Sequence, residues 1–302
     1  MTSDSSGIAV AFPGQGVDKL ETCGVLEAHE GAAIVSELAE RVGTNAWRTL
    51  DFQDTSIQQP CIFVASYLNA TANIRVDGVQ AVIGHSLGQI AALVFAESLS
   101  LTDGLAFVSL RGELCRRAQE QSPGRMAAFM QLERDELEWI RRMALTSHGG
   151  VLEVAAVNGP GQVVLSGSAP TLEAAVTMAR EGGALVVELA INAAMHTPLM
   201  ARPIPELKEA LVGVEVETPR VPFVSCVFAR ALEDPEDIRK SLVRDLVLPV
   251  RWMEALDALR DAGVTSAWDA GPGQTLRKLA KRGGSVRFVS ELGSASRGGT
   301  DA

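Results

Sequence analysis

Short apolar runs alternate with stretches of helical spacing along most of this chain. Ile8–Phe12 predicts a strand that runs into Pro13-Gly14-Gln15-Gly16. Residues 30–42 and 59–74 have helical spacing; residues 81–83 predict a buried strand, and 89–97 and 102–121 predict helices. Ser122-Pro123-Gly124 breaks the rhythm. A strand over 126–132, a helix over 134–145 and a strand over 152–157 follow. Gly159-Pro160-Gly161 turns the chain into a strand over 163–166, then a helix over 171–180 and a strand over 184–189. This β-α-β-β-α-β order predicts a ferredoxin-like unit. Beyond it come a loop over 191–196, a helix over 198–211, a strand over 221–228, a helix over 249–262, a strand over 265–269 and a short basic helix over 274–282. The expected class is therefore α/β. A large domain formed by residues 1–123 and 192–302 is interrupted by a small subdomain over 124–191. Residues 1–7 and the Gly/Ser-rich stretch from 294 read as disordered.

Between the strand at 81–83 and the helix at 89–97 stands Gly84-His85-Ser86-Leu87-Gly88, a G-x-S-x-G sequence. Alone the pattern is weak, but strand, tight turn and helix are the context a nucleophile elbow requires. The flanking glycines let the backbone turn sharply, and the serine sits at a helix N-terminus with amides on hand. The loop at Gly14–Gly16 also follows a strand, where ligand sites converge, although a plain turn reads equally well. It is no phosphate loop, because no Gly-Lys-Ser/Thr follows.

A serine nucleophile needs a base, and the chain has four histidines. His29 lies by a surface helix, His148 reads as a solvated loop, and His85 is better placed to pack or to orient backbone than to reach its neighbour. By elimination His196 is the best base. Arg111 lies mid-helix among Val108, Leu110 and Leu114. Arginine heads usually face solvent, but this apolar company favours a partly buried guanidinium able to grip a carboxylate bidentately.

The net charge of −10 argues against a nucleic-acid partner. No apolar run reaches the length of a membrane helix, and the first residues lack a signal-peptide pattern. Cys23, Cys61, Cys115 and Cys226 are scattered, as reduced core thiols of a cytoplasmic protein would be. No metal, nucleotide or flavin site is evident. A monomer is the expectation.

Seven segments, in order along nearly the whole chain, resemble the malonyl-CoA:acyl carrier protein transacylases and the related polyketide-synthase acyltransferase domains. They are Phe12-Pro13-Gly14-Gln15-Gly16, Gly84-His85-Ser86-Leu87-Gly88, Leu110-Arg111-Gly112-Glu113-Leu114 and Asn158-Gly159-Pro160-Gly161-Gln162, followed by Met195-His196-Thr197-Pro198, Leu248-Pro249-Val250-Arg251-Trp252 and Asp269-Ala270-Gly271-Pro272-Gly273. The resemblance implies an α/β-hydrolase-like large domain with a central, mainly parallel sheet. It implies transfer of a malonyl-type group from coenzyme A to a carrier's phosphopantetheine thiol, with ping-pong kinetics and no cofactor. Ser86 would be acylated and His196 would be its base, in a Ser-His dyad. The amides of Gln15 and Leu87 would form the oxyanion hole, and Arg111 would pair with the substrate's free carboxylate. Asn158 and the Asp245 region are candidates to orient His196. A hydrolase on the same scaffold is the rival reading, and Arg111 is the feature that disfavours it.

Three positions depart from the family pattern. Met195 stands where malonyl-using relatives often carry Phe and methylmalonyl-using ones Ser. Asp245 stands where many carry Gln, and Cys115 where Met is common. They imply a pocket tuned away from the housekeeping enzyme, with the acyl group left open. Arg277, Lys278, Lys281 and Arg282, with Arg116 and Arg117, are the expected docking surface for an acidic carrier.

Overall fold

The strand β1 (Ile8–Phe12) is buried from Ala9 onward and lies at the middle of a six-stranded sheet. A strand covered on both faces needs an uninterrupted apolar run, which is what this segment supplies. The computed structural model describes residues 7–281 and 283–292. In it β2 (Ala81–Gly84) flanks β1 on one side and β9 (Ser266–Asp269) on the other, both parallel. The sheet order is β10-β9-β1-β2-β7-β8, where β7 is Phe223–Ser225, β8 is Arg230–Leu232 and β10 is Arg287–Val289. Among the described residues of this sheet only the β7–β8 hairpin is antiparallel.

Helices α1 (Lys19–Ala28), α2 (Ala33–Val42), α3 (Thr55–Asn73), α4 (Gly88–Phe95) and α5 (Leu101–Gln121) come from the first part of the chain. α8 (Ile204–Ala210), α9 (Pro235–Arg244), α10 (Trp252–Asp261) and α11 (Thr275–Ala280) come from the last. α4 is buried at every position, as a sequence apolar except for Gln89 requires, and α3 packs along α5.

A second, wholly antiparallel sheet has the order β4-β5-β3-β6. Its strands are β3 (Gly124–Met130), β4 (Leu152–Gly159), β5 (Gln162–Ser168) and β6 (Leu185–Glu188), with α6 (Arg134–His148) and α7 (Ala169–Glu181) packed against each other. Order and connectivity are those of the ferredoxin-like unit. Alternation along β3 divides the sheet's two faces. Ala127 and Phe129 join the apolar cluster under α6 and α7, whereas Met126 and Ala128 join the main core. The small sheet is tied to the segment before α10, where Val250 bridges Ala156 of β4, with Val157 N–H donating to Val250 C=O and Val250 N–H to Ala155 C=O.

Several elements differ from the sequence reading. The helix expected over 198–211 is a single 3₁₀ turn, Pro198–Met200, and then α8, because Pro203 lacks the N–H that would continue a helix. The strand expected over 221–228 stops at Ser225 and turns back as β8. α1, α9 and β10 were not expected at all, although Asp18 and Asp234 cap α1 and α9 with side-chain hydrogen bonds. His148 is the last residue of α6 rather than part of a loop. The two terminal stretches read as disordered lie, apart from Gly7, outside the described residues.

Candidate active site

β2 delivers Ser86 into a turn with φ +50°, the left-handed region that a serine enters only under constraint. The turn leaves no room beside it. A Cβ on Gly84 would lie 2.1 Å from Gln89 N, and one on Gly88 would lie 2.1 Å from Phe12 O. α4 starts immediately afterwards, so Ser86 stands at a helix N-terminus. Among the described residues the N–H groups of Gln15 and Leu87 have no acceptor within the protein. Ser86 N–H itself donates to Cys226 Sγ at 3.3 Å.

Ser86, His196, Gln15, Asn158 and Met195 line one cavity of about 230 Å³ between the two sheets. Met126, Ala128 and Val164 of the small sheet and Leu276 and Leu279 of α11 supply apolar wall. His196 is buried and also has a positive φ, +62°. Its N–H donates to Leu246 C=O at 2.8 Å, and its Nδ1 lies 2.9 Å from Leu248 C=O. A proton on Nδ1 shared with that carbonyl leaves Nε2 as the basic nitrogen. Burial holds the imidazole below its ordinary pKa, Asp245 opposing the shift and Arg111 adding to it.

Among the described residues no hydrogen bond joins Asn158 to His196. Asn158 accepts from His85 Nε2 at 3.0 Å, while the His85 ring lies against Trp252 with centroids 5.2 Å apart. Burial pushes the His85 pKa down to about 4, the bond to Asn158 opposing it only in part. His85 is therefore a neutral wall residue. The hydrogen bonds that orient His196 come from main-chain groups of the Asp245–Leu248 stretch.

Arg111 has partners within the chain that the sequence did not reveal. It is 1% exposed, and its guanidinium already holds a carboxylate, with Nη2 2.7 Å from Asp245 Oδ2. Nη1 donates to Gln59 Oε1 at 2.6 Å. The Ser86 hydroxyl sits against both charges, donating to Asp245 Oδ2 at 3.1 Å and accepting from Arg111 Nη2 at 3.1 Å. Among the described residues Ser86 Oγ has these partners and not His196. Arg111 is not among the described residues lining the cavity.

The pair belongs to a longer polar chain. Gln58 accepts from Gln15 Nε2 at 2.5 Å, and Gln15 Oε1 accepts from Gln59 Nε2 at 3.3 Å. On the far side Gln89 Nε2 donates to Asp245 Oδ1 at 3.1 Å, and Gln89 Oε1 accepts from Ser241, whose hydroxyl meets Ser225. Gln58, Gln59, Gln89, Ser225 and Ser241 are all buried, so nearly every polar atom of the chain is satisfied from within the protein. Sequence reasoning noted Asp245 as a departure but did not pair it with Arg111.

Of the expected docking residues, Arg277 and Lys278 lie on α11, whose Thr275, Leu276 and Leu279 line the cavity, and Lys281 caps the helix. Arg282 lies outside the described residues. Arg116 is already paired with Glu113 and Glu120, and Arg117 with Glu206. No helix among the described residues is long and apolar enough to cross a membrane.

Comparison with known proteins agrees with this architecture. The family model described as acyl transferase domain matches residues 25–297. A malonyl CoA-acyl carrier protein transacylase of Haemophilus influenzae is 30% identical over 289 residues, 91% of each chain. The Bacillus subtilis protein of the same name is 35% identical over 200 residues, 66% of this chain and 63% of its own length. A malonyl-transacylase solved in complex with a type II PKS acyl-carrier protein superposes with a TM-score of 0.80 at 28% identity, covering 96% of this chain and 98% of that one. Elbow, cavity and sheet order thus coincide with a family match along nearly the whole length, and the chain belongs to the acyl transferase domain family.

Proposed function

We propose that this acyltransferase moves a malonyl-type acyl group from coenzyme A to the phosphopantetheine thiol of an acyl carrier protein, by way of an ester on Ser86. The observation that carries the reading is Ser86 itself, held in a strained turn at one cavity with His196 and with two unengaged backbone amides close in sequence to it or to the facing loop. The malonyl group and the carrier are taken from the relatives, which carry both in their names.

In the first half-reaction the Ser86 hydroxyl turns from Asp245 to His196 Nε2, gives up its proton and attacks the thioester carbonyl. The N–H groups of Gln15 and Leu87 hold the developing oxyanion. Loss of one such donor typically costs about 10²–10³ in turnover. The C–S bond breaks, and the coenzyme A thiolate takes the proton from His196. In the second half the carrier thiol gives its proton to His196 and attacks the ester, and Ser86 takes the proton back as its C–O bond breaks.

Support for a carrier docking near α11 comes from the position of Arg277, Lys278 and Lys281 on a helix whose other side walls the cavity. Their charge suits an acidic partner of a chain carrying −10 overall. We take residues 1–123 and 192–302 as one unit and 124–191 as the other, with the substrate held between them.

Intact-protein mass spectrometry after brief mixing with malonyl-CoA tests the reading. Wild type is expected to gain one malonyl group and to pass it to a carrier protein. Ser86→Ala should gain none, and His196→Ala should load about 10²–10⁴-fold more slowly. An adduct that persists in Ser86→Ala overturns the nucleophile. Loss of the adduct to water alone, with the carrier left bare, moves the protein to the hydrolase reading.

A further inference from the structure

Arg111 is the only guanidinium hydrogen-bonded to Ser86 among the described residues, and its carboxylate-binding edge is filled from inside the protein. We propose that Asp245 is a specificity-determining residue that occupies Arg111, so that this enzyme does not select for a free carboxylate on the acyl group. The inference rests on Ser86 being the acyl acceptor, as set out above.

Three observations lead to it. The Arg111–Asp245 contact is direct, at 2.7 Å, and both side chains are at most 3% exposed. Water therefore does little to weaken the pair. The surroundings are also built for a carboxylate at position 245. Oδ2 receives Arg111 and Ser86, and Oδ1 receives Gln89, which Ser241 fixes in turn. The site is lastly neutral where a donor's tail would meet it. A terminal carboxylate entering past Ser86 finds a guanidinium whose charge is already balanced, and beside it a second carboxylate at short range. It must displace Asp245 from three hydrogen bonds or go without the guanidinium. An uncharged tail meets neither obstacle. A lone Arg111 would favour a carboxylated donor over its uncharged counterpart; the pair removes that preference and leaves malonyl as one acceptable tail among several.

Asp245 acts here on which acyl group is loaded, through Arg111, and needs no part in bond-making. The comparison that isolates the effect is malonyl-CoA against the coenzyme A thioester of malonic acid monoamide, which has nearly the same shape without the charge. Loading of Ser86 is followed by rapid-quench mass spectrometry for wild type and Asp245→Asn, with thermal melting to verify folding.

Wild type is expected to load the two donors at rates within about tenfold of each other. Asp245→Asn, with the guanidinium freed, is expected to raise the malonyl-to-monoamide ratio by about tenfold or more, the scale of a charge-assisted hydrogen bond gained. A folded variant whose ratio rises less than that overturns the proposal. Where Asp245→Asn does not fold, the wild-type ratio decides, and a malonyl preference above about tenfold overturns it. If neither donor adds mass at Ser86 in wild type, the acyl-serine reading falls first and this inference with it, an outcome distinct from a failure of charge selection alone.

Discussion

Two ion pairs on α5 have the same separation and opposite standing. Arg111 lies 2.7 Å from Asp245, and five residues on, Arg116 lies 2.7 Å from Glu113. The first pair is 1% and 3% exposed and the second 36% and 40%. In solvent, the attraction is screened and the long side chains give up rotamer freedom to form it. In the interior the attraction is much stronger, but both charges have lost their water, and each becomes necessary to the other. Distance reports contact; burial decides what the contact is worth. The buried pair is kept at the nucleophile, where it governs which charge can enter.

The comparison breaks most visibly if Asp245 is removed outright. Asp245→Ala leaves the Arg111 charge buried and unpaired and is expected to cost about 3–5 kcal/mol in urea unfolding. A loss below about 1 kcal/mol would mean that the interior pair behaves like a surface one.

His85 supplies an intermediate case, a buried titratable ring whose hydrogen-bond partner is a neutral amide. Its folded pKa of about 4 lies below the ordinary value of about 6.5, so the unfolded chain binds the proton first. The stability from keeping this ring neutral is whole above about pH 6.5 and declines as pH falls toward about 4, by about 1.4 kcal/mol per pH unit. His85→Gln should flatten the stability–pH curve over that window by close to this slope. Unchanged slopes in the two proteins would place the titration elsewhere.

The smallest effect belongs to the surface. Arg116→Ala is expected to change stability by no more than about 1 kcal/mol and to matter less as salt is raised. A loss comparable with that of Asp245→Ala would erase the distinction drawn between the buried and the exposed pair.

What could be read in the sequence follows the same division between local and distant causes. The Ser86 elbow was legible because its requirements are local: an apolar strand, two glycines and a helix start, all within a dozen residues. The small sheet was legible because its turns fall at Ser122-Pro123-Gly124 and Gly159-Pro160-Gly161. From the residues themselves His196 emerged by elimination among four histidines, and the family resemblance of Met195-His196-Thr197-Pro198 gave it the same role. The Arg111–Asp245 pair was not legible. Its members are 134 positions apart, and α9, the helix that ends at Asp245, was itself unrecognised. Asp234-Pro235-Glu236-Asp237 carries a cap, a proline at the first helical position and acid in the first turn, a start signal that could have revealed it.

Residues 246–251 serve three neighbours in six positions. Leu246 and Leu248 hold His196, Val250 clasps β4 from both of its main-chain groups, and Arg251 N–H donates to Cys226, whose sulfur in turn meets the Ser86 amide. This strip is a common chassis for the roof of the cavity, the base and the nucleophile. None of the three can drift without pulling on the backbone that registers the other two, so reach between Ser86 and His196 is preserved by shared anchorage where no direct bond joins them.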